Sequence, residues 1–388
     1  MLFSLIVFCL GIDDAQMQAK AQKLAHSVII LDGHVDLPYR LIEEMEDVSV
    51  RTPKGDFDAV RAQEGGLNAP FMSIYVPAEL EGNGAKAKAE ELIQLVEGLC
   101  QKNPEKFAIA HSVDEVQAQF KQGLISFPMG MENGAPIEGD LKNVAYFHQR
   151  GIRYITLTHS KSNHICDSSY DENHQWKGLS PFGKQVVAEM NRVGIMVDVS
   201  HISDDSFFQV MELSAVPVIA SHSSCRHFTP GFERNMSDEM IQLLAKKGGV
   251  IQINFGSSFI KADYQKAADG IWKEAGRIRE EQGEDAAKAF MEKKMKETPL
   301  PRASVKDVAD HIEHVIKLVG VDHVGLGSDF DGVGDSLPDG LRDVSQYPNL
   351  FLELMKRGYN ETEIEKIASG NVLRVWRAVE AYAQKQAE

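Results

Sequence analysis

Residues 28–38 read VIILDGHVDLP. The residues ahead of Asp32 are continuously apolar and mostly β-branched, as in a strand buried on both faces, and the polar residues His34 and Asp36 follow at its C-terminal end. Side chains alternate along a strand, so residues two apart share a face. His34 and Asp36 are therefore expected to point the same way.

The same design recurs seven more times: NAPFMSIYVP (68–77), LISFPMGMENG (124–134), YITLTHS (154–160), IMVDVSH (195–201), VPVIASHS (216–223), VIQINFGSS (250–258) and HVGLGSDFDG (323–332). Helical patterns such as GKQVVAEMNRVG (183–194) and DEMIQLLAKKGG (238–249) lie between them, each ending at a glycine where a helix C-cap is expected. Eight alternations of strand and helix predict an α/β fold, a closed (β/α)8 TIM barrel rather than an open sheet. Such barrels carry their sites at the C-terminal strand ends, which is where the polar clusters fall. Six of the eight ends hold a residue suited to bind or serve a metal: His34 with Asp36, Glu132, His159, His201, His222 and Asp329. The second and seventh ends hold none and are the expected places for substrate side-chain choice.

Composition sets bounds around this picture. The chain has 388 residues, 43% of them hydrophobic, and a formal net charge of −16. No linker or composition break divides it, so one barrel domain is read over residues 21–388. Its acidity argues against nucleic acid or an anionic membrane surface as partner, because both demand basic patches. Cys9, Cys100, Cys166 and Cys225 show no CxxC spacing and read as buried thiols, with a Cys166–Cys225 disulfide left as an alternative. Residues 1–20 read as an export signal or an N-terminal segment packed on the barrel. The apolar run 2–10 has the length of a signal core and is too short to span a bilayer, with Cys9 a candidate for lipid attachment. This favours export over a cytoplasmic address, and no transmembrane span is expected. Residues 260–305, rich in Ala, Glu and Lys, read as a helical insertion after the seventh strand with a break near Gly283. A lid, a subunit contact in a homodimer, or a plain insertion are its alternatives.

The chemistry follows from counting ligands. Of 13 histidines most must be ordinary, and His26, His111, His148, His311, His314 and His323 are set aside as such. His34, Asp36, Glu132, His201 and His222 differ in sharing one barrel face. Five ligands exceed what one tetrahedral zinc needs. If Glu132 bridges, then His34, Asp36 and Glu132 serve one ion and Glu132, His201 and His222 the other, each with an open position as catalytic zinc requires. Water held between two such ions would yield hydroxide near neutral pH. Asp329 opens DFDGVGD, but the twelfth position of that run is Gly340 where a calcium loop needs Glu, so calcium is discarded.

Taken in order, DGHVDLP, GMENG, LTHSKSN, DVSH, SHSS, RNMSDE and GSDFDG resemble the membrane dipeptidase family, also called renal dipeptidase, a dizinc branch of the amidohydrolase barrels. The resemblance covers about residues 27–380. It implies two zinc ions per chain, with His34 and Asp36 on the first, His201 and His222 on the second, and Glu132 between them. It further implies that His159 polarises the scissile carbonyl, that Arg234 grips the terminal carboxylate of a dipeptide, and that Asp329 shuttles the proton. The implied activity is hydrolysis of dipeptides, including those with a C-terminal D-residue. N-acyl amino acid or lactone hydrolysis on the same ions, and a catalytically silent barrel that binds metal or peptide, are the alternatives. The chain departs from the family pattern in three places. Lys161 stands near where animal members commonly carry a Cys, so their disulfide is not carried over. Gly256 stands where an aromatic is familiar, and the 260–305 insertion is longer than in the animal enzymes.

Overall fold

The computed structural model describes residues 2–297 and 300–387. Among the described residues ten strands form: β1 (Leu31–Val35), β2 (Ala69–Tyr75), β3 (Phe107–Ile109), β4 (Ile125–Phe127), β5 (Met129–Glu132), β6 (Ile152–Thr156), β7 (Met196–Asp198), β8 (Ile219–Ser223), β9 (Val250–Ile253) and β10 (Val324–Leu326). Eight of them close into a parallel barrel in the order β1-β10-β9-β8-β7-β6-β5-β2, the (β/α)8 architecture. Asp32 pairs with Leu326 where the last strand meets the first. Strand residues are buried almost throughout, because helices cover the outside and side chains fill the inside.

The run 124–134 departs from its reading as one strand. Pro128 has no N–H to give to a ladder, and the chain divides there. Ahead of it β4 pairs with β3 in a separate two-stranded sheet, and after it β5 enters the barrel. β3 itself is too short to have announced itself. The last run keeps strand form only over β10, because Asp329 (φ 64°) and Asp331 (φ 65°) turn the following backbone into the left-handed region.

Helix ends obey their local chemistry. The helix Pro181–Val193 starts behind Ser180, whose side chain accepts from the Gly183 N–H, and stops at Gly194 with φ 93°. Val186, Val187 and Met190 bury its inner face at helical spacing. The insertion forms two helices, Ala262–Gln282 and Glu284–Glu297, broken at Gly283 (φ 93°). Tyr264, Ala268, Ala275 and Ile278 anchor the first of them. The second brings Lys288 Nζ to 3.9 Å from Glu43, in the helix Leu37–Glu43 that follows β1.

At the N-terminus one helix, Leu2–Ala25, runs across the boundary expected at residue 20. Its last turns bury Ala21, Leu24 and Ala25. The side chains of residues 1–13, which carry the export reading and Cys9, lie outside those described. Among the described residues no helix is long and apolar enough to cross a membrane. Cys100, Cys166 and Cys225 are buried and free, so the Cys166–Cys225 disulfide does not form. Burial pushes their thiols up, that of Cys100 to about 12.

Candidate active site

His34 leaves the end of β1 with its imidazole fixed from behind. Tyr154, pointing inward from β6, gives its hydroxyl proton to Gly33 O at 3.1 Å and so must accept from His34 Nδ1–H at 2.7 Å. That leaves Nε2, a buried nitrogen with no hydrogen-bond partner among the described residues, as the atom offered to a metal; burial opposes charge on the ring, but Tyr154, Glu132 and Asp36 outweigh it and hold His34 well above its ordinary pKa, so an ion binding there displaces the Nε2 proton. Nε2 lies 3.4 Å from Asp36 Oδ2 and 3.3 Å from Glu132 Oε2. His34 and Asp36 thus do meet, as strand alternation requires.

Glu132, the last residue of β5, turns its other oxygen the opposite way. Oε1 lies 3.1 Å from His201 Nε2 and 3.3 Å from His222 Nε2. His222 is oriented by Ser221, whose Oγ donates to Asp198 at 2.6 Å and therefore accepts from His222 Nδ1 at 2.7 Å. Burial first, and then the charge of Arg234 for His201 or His34 for His222, holds both imidazoles well below their ordinary pKa, leaving their lone pairs free at neutral pH. Burial opposes the Glu132 carboxylate, but the facing His34 and His159 outweigh it and hold it well below the usual range. A tetrahedral ion with bonds of 2.0–2.1 Å separates its ligand atoms by roughly 3.3 Å. The distances on both sides of Glu132 match that spacing, so the residues fit two ions with one carboxylate between them. Zinc suits such imidazole and carboxylate donors.

The remaining predicted residues ring this centre. His159, three residues past β6, places Nε2 3.7 Å from Glu132 Oε1 and packs edge-on to Tyr75, so it too stands within ligand reach. Asp329 accepts from Asn254 Nδ2 at 2.8 Å, and burial, followed by the negative charge of Asp36, pushes it up to about 8. Arg234 is buried, donating to Ser223 Oγ at 2.7 Å and to His222 O at 2.8 Å. Among the described residues its Nε finds no acceptor and it makes no ion pair. The guanidinium lies 5.2 Å over the ring of Phe259. Gly256 makes room for that ring, since a Cβ there would come within 2.9 Å of Phe259 and Val333.

Sequence reasoning missed the supports beneath these groups. Asp198 accepts from the Ser200 and Ser221 N–H groups as well as from Thr156 and Ser221 hydroxyls, tying β6, β7 and β8. Asp32 does the same between β1 and β10, accepting from the His34 and Ser328 N–H groups and from Tyr347. The D of DVSH and the first D of DGHVD were visible signals: an acid inside a buried strand needs donors. Of the histidines set aside, His311 is a satisfied core residue, accepting from Cys225 N at 3.1 Å and donating to Ile260 O at 3.1 Å.

Comparison with known proteins agrees with this geometry. The family profile described as membrane dipeptidase (peptidase family M19) matches residues 18–388. Dipeptidase 3 of Mus musculus is 31% identical over 381 residues, covering 96% of this chain and 69% of the mouse protein. Dipeptidase tcpJ of Claviceps purpurea is 32% identical over 340 residues, covering 86% and 71%. Among solved structures, the probable dipeptidase PvdM from Pseudomonas aeruginosa superposes with a TM-score of 0.82 at 26% identity, covering 95% of this chain and 100% of that one. A metallopeptidase from Rhodobacter sphaeroides, liganded with a phosphinate mimic of the dipeptide L-Ala-D-Ala, gives 0.76 at 25% identity, covering 91% and 99%.

Proposed function

The chain belongs to the membrane dipeptidase family, peptidase family M19, and is a metal-dependent dipeptidase; from that premise we propose that it works with two zinc ions sharing Glu132 and accepts dipeptides ending in a D-residue. The observation that carries the dipeptide reading is Arg234, a buried guanidinium that has, among the described residues, an unpartnered Nε and no carboxylate beside it. A buried charge left unpaired costs several kcal/mol, and the terminal carboxylate of a dipeptide supplies the missing anion in a fork-to-fork pair. Fixing that carboxylate so near the Glu132 cluster leaves room for one residue beyond the scissile bond. The ligand of the Rhodobacter sphaeroides enzyme supports the D-residue part of the reading.

His34, Asp36 and Glu132 would hold one ion, and Glu132, His201 and His222 the other. When bound, the ions supply a water acidified to near neutral pH and Lewis acidity toward the carbonyl. His159 points a donor at the oxygen where negative charge develops, a role worth about 2.7–4 kcal/mol in comparable sites. Asp329, held by Asn254, takes the proton of the attacking water and returns it to the leaving amine.

Arg234→Ala tests the proposal against paired substrates, a dipeptide and its C-terminal amide. Losing a hydrogen bond to a charged group removes about 1.5–3 kcal/mol, so kcat/KM on the dipeptide should fall roughly 10- to 100-fold while the amide is unaffected. Equal turnover of the dipeptide by wild type and variant would sink it. Metal analysis of the purified enzyme should give two zinc ions per chain, and one ion in a fully active preparation would remove the dizinc part.

A further inference from the structure

Apart from the Glu132 cluster, His227, Asp238 and His314 gather at a more exposed position. They come from three elements: the turn Arg226–Phe228, the first residue of the helix Asp238–Lys246, and the middle of the helix Val305–Val319. His314 Nε2 lies 2.8 Å from Asp238 Oδ1. The His227 ring stacks on His314 at a centroid distance of 4.3 Å and an angle of 23°. One ligand atom from each residue lies within 4.8 Å of the other two. Phe228 sits edge-on to His314 at 5.5 Å and against buried His311 at 4.3 Å, which gives the site a rigid wall.

The stack and the His314–Asp238 contact bring two imidazoles and one carboxylate together, a donor set suited to a divalent transition-metal ion. A single divalent cation engages a lone pair from each, and Asp238 offsets part of its charge. We propose that His227, Asp238 and His314 form an accessory site for a divalent transition-metal ion of the zinc class, separate from the catalytic pair, with water completing the coordination. His227 is exposed on a turn, so a modest rotation closes the cluster to the ligand spacing of roughly 3.3 Å that zinc requires. That exposure also makes the ion exchangeable and its binding weaker than in the buried centre.

The position gives such an ion leverage. The turn bearing His227 opens the loop that carries Arg234, and neighbouring Arg226 clasps Asp204 at 2.6 and 2.7 Å and the Glu233 carbonyl at 2.9 Å. An ion here would pin the start of the Arg234 loop to two outer helices.

The experiment is equilibrium dialysis of the zinc-loaded enzyme against rising free zinc, with metal content read by mass spectrometry. Wild type should take up one zinc beyond its catalytic complement. His227→Ala and His314→Ala should each lose that increment while keeping dipeptide turnover at low zinc. The melting temperature of wild type should rise with free zinc, and that of His227→Ala should rise less. No extra zinc in wild type, or the same extra zinc in both variants, overturns the site. Since the readout is an increment, it stands apart from whether the catalytic complement is one ion or two.

Discussion

Tyr154 shows how much a single residue can decide. Nothing in YITLTHS marks its tyrosine as more than a strand residue, yet its hydroxyl keeps a proton on His34 Nδ1 and so leaves Nε2 as the atom offered to a metal. Tyr154→Phe keeps the ring and removes only that constraint. Outer partners of metal-bound imidazoles are worth 10- to 100-fold in affinity or activity, so zinc should be lost at roughly 10- to 100-fold lower chelator concentration. Unchanged chelator sensitivity would show that the hydroxyl has no such role. His201 (φ 69°) and Asp329 (φ 64°) make a related point, since non-glycine residues in the left-handed region cost of order 1–3 kcal/mol each and persist where surroundings enforce them. The sequence names both residues but does not show that their backbones must be bent to aim them.

At the scale of elements, the barrel interior is a fit between strands. Gly130 of β5 faces Tyr154 of β6, and a Cβ at 130 would come within 2.0 Å of the tyrosine ring. The glycine in GMENG is therefore part of the apparatus that aims His34, two strands away. Gly130→Ala should destabilise the fold by about 1–3 kcal/mol, the range for overpacking, and weaken metal retention with it. Denaturant unfolding with a parallel metal assay checks both, and a drop in stability with normal metal retention would separate Gly130 from the site. Strand existence was legible from apolar runs ended by polar clusters. Strand length was not, because Pro128 and the positive-φ residues after β10 end pairing through backbone chemistry that hydropathy does not register.

Across the whole molecule, the two ends of the barrel circuit are locked by a pair of acids. Asp56 N donates to Asp331 Oδ1 at 2.6 Å, Asp331 N donates to Asp56 Oδ2 at 2.8 Å, and Arg40 Nε lies 3.2 Å from Asp331. Burial, then the neighbouring acid, pushes Asp56 up to about 7; burial also carries Asp331 to about 6, with Arg40 opposing. Both folded values exceed the unfolded ones, so the pair contributes stability that is full below about pH 4 and lost as pH rises through 6 to 7. Asp56→Asn keeps an acceptor for Asp331 N and removes one titration. The unfolding free energy of the variant should therefore fall less than that of wild type between pH 5 and pH 8, and identical slopes would contradict the assignment.

The sequence by itself determined the eight-stranded alternation and named His34, Asp36, Glu132, His201 and His222 as candidate ligands, with Arg234 and Asp329 nearby in the motif order. Those features are local: burial on two faces dictates apolar runs, and a barrel puts strand ends on one rim. Tertiary structure alone decided what stands behind and between them. The two oxygens of Glu132 facing opposite ways, the Tyr154 hydroxyl under His34 and the strand-to-strand ties of Asp32 and Asp198 all depend on groups 23 to 296 residues apart. A spacing rule reads neighbours along the chain, whereas protonation, orientation and charge balance are set by neighbours in space.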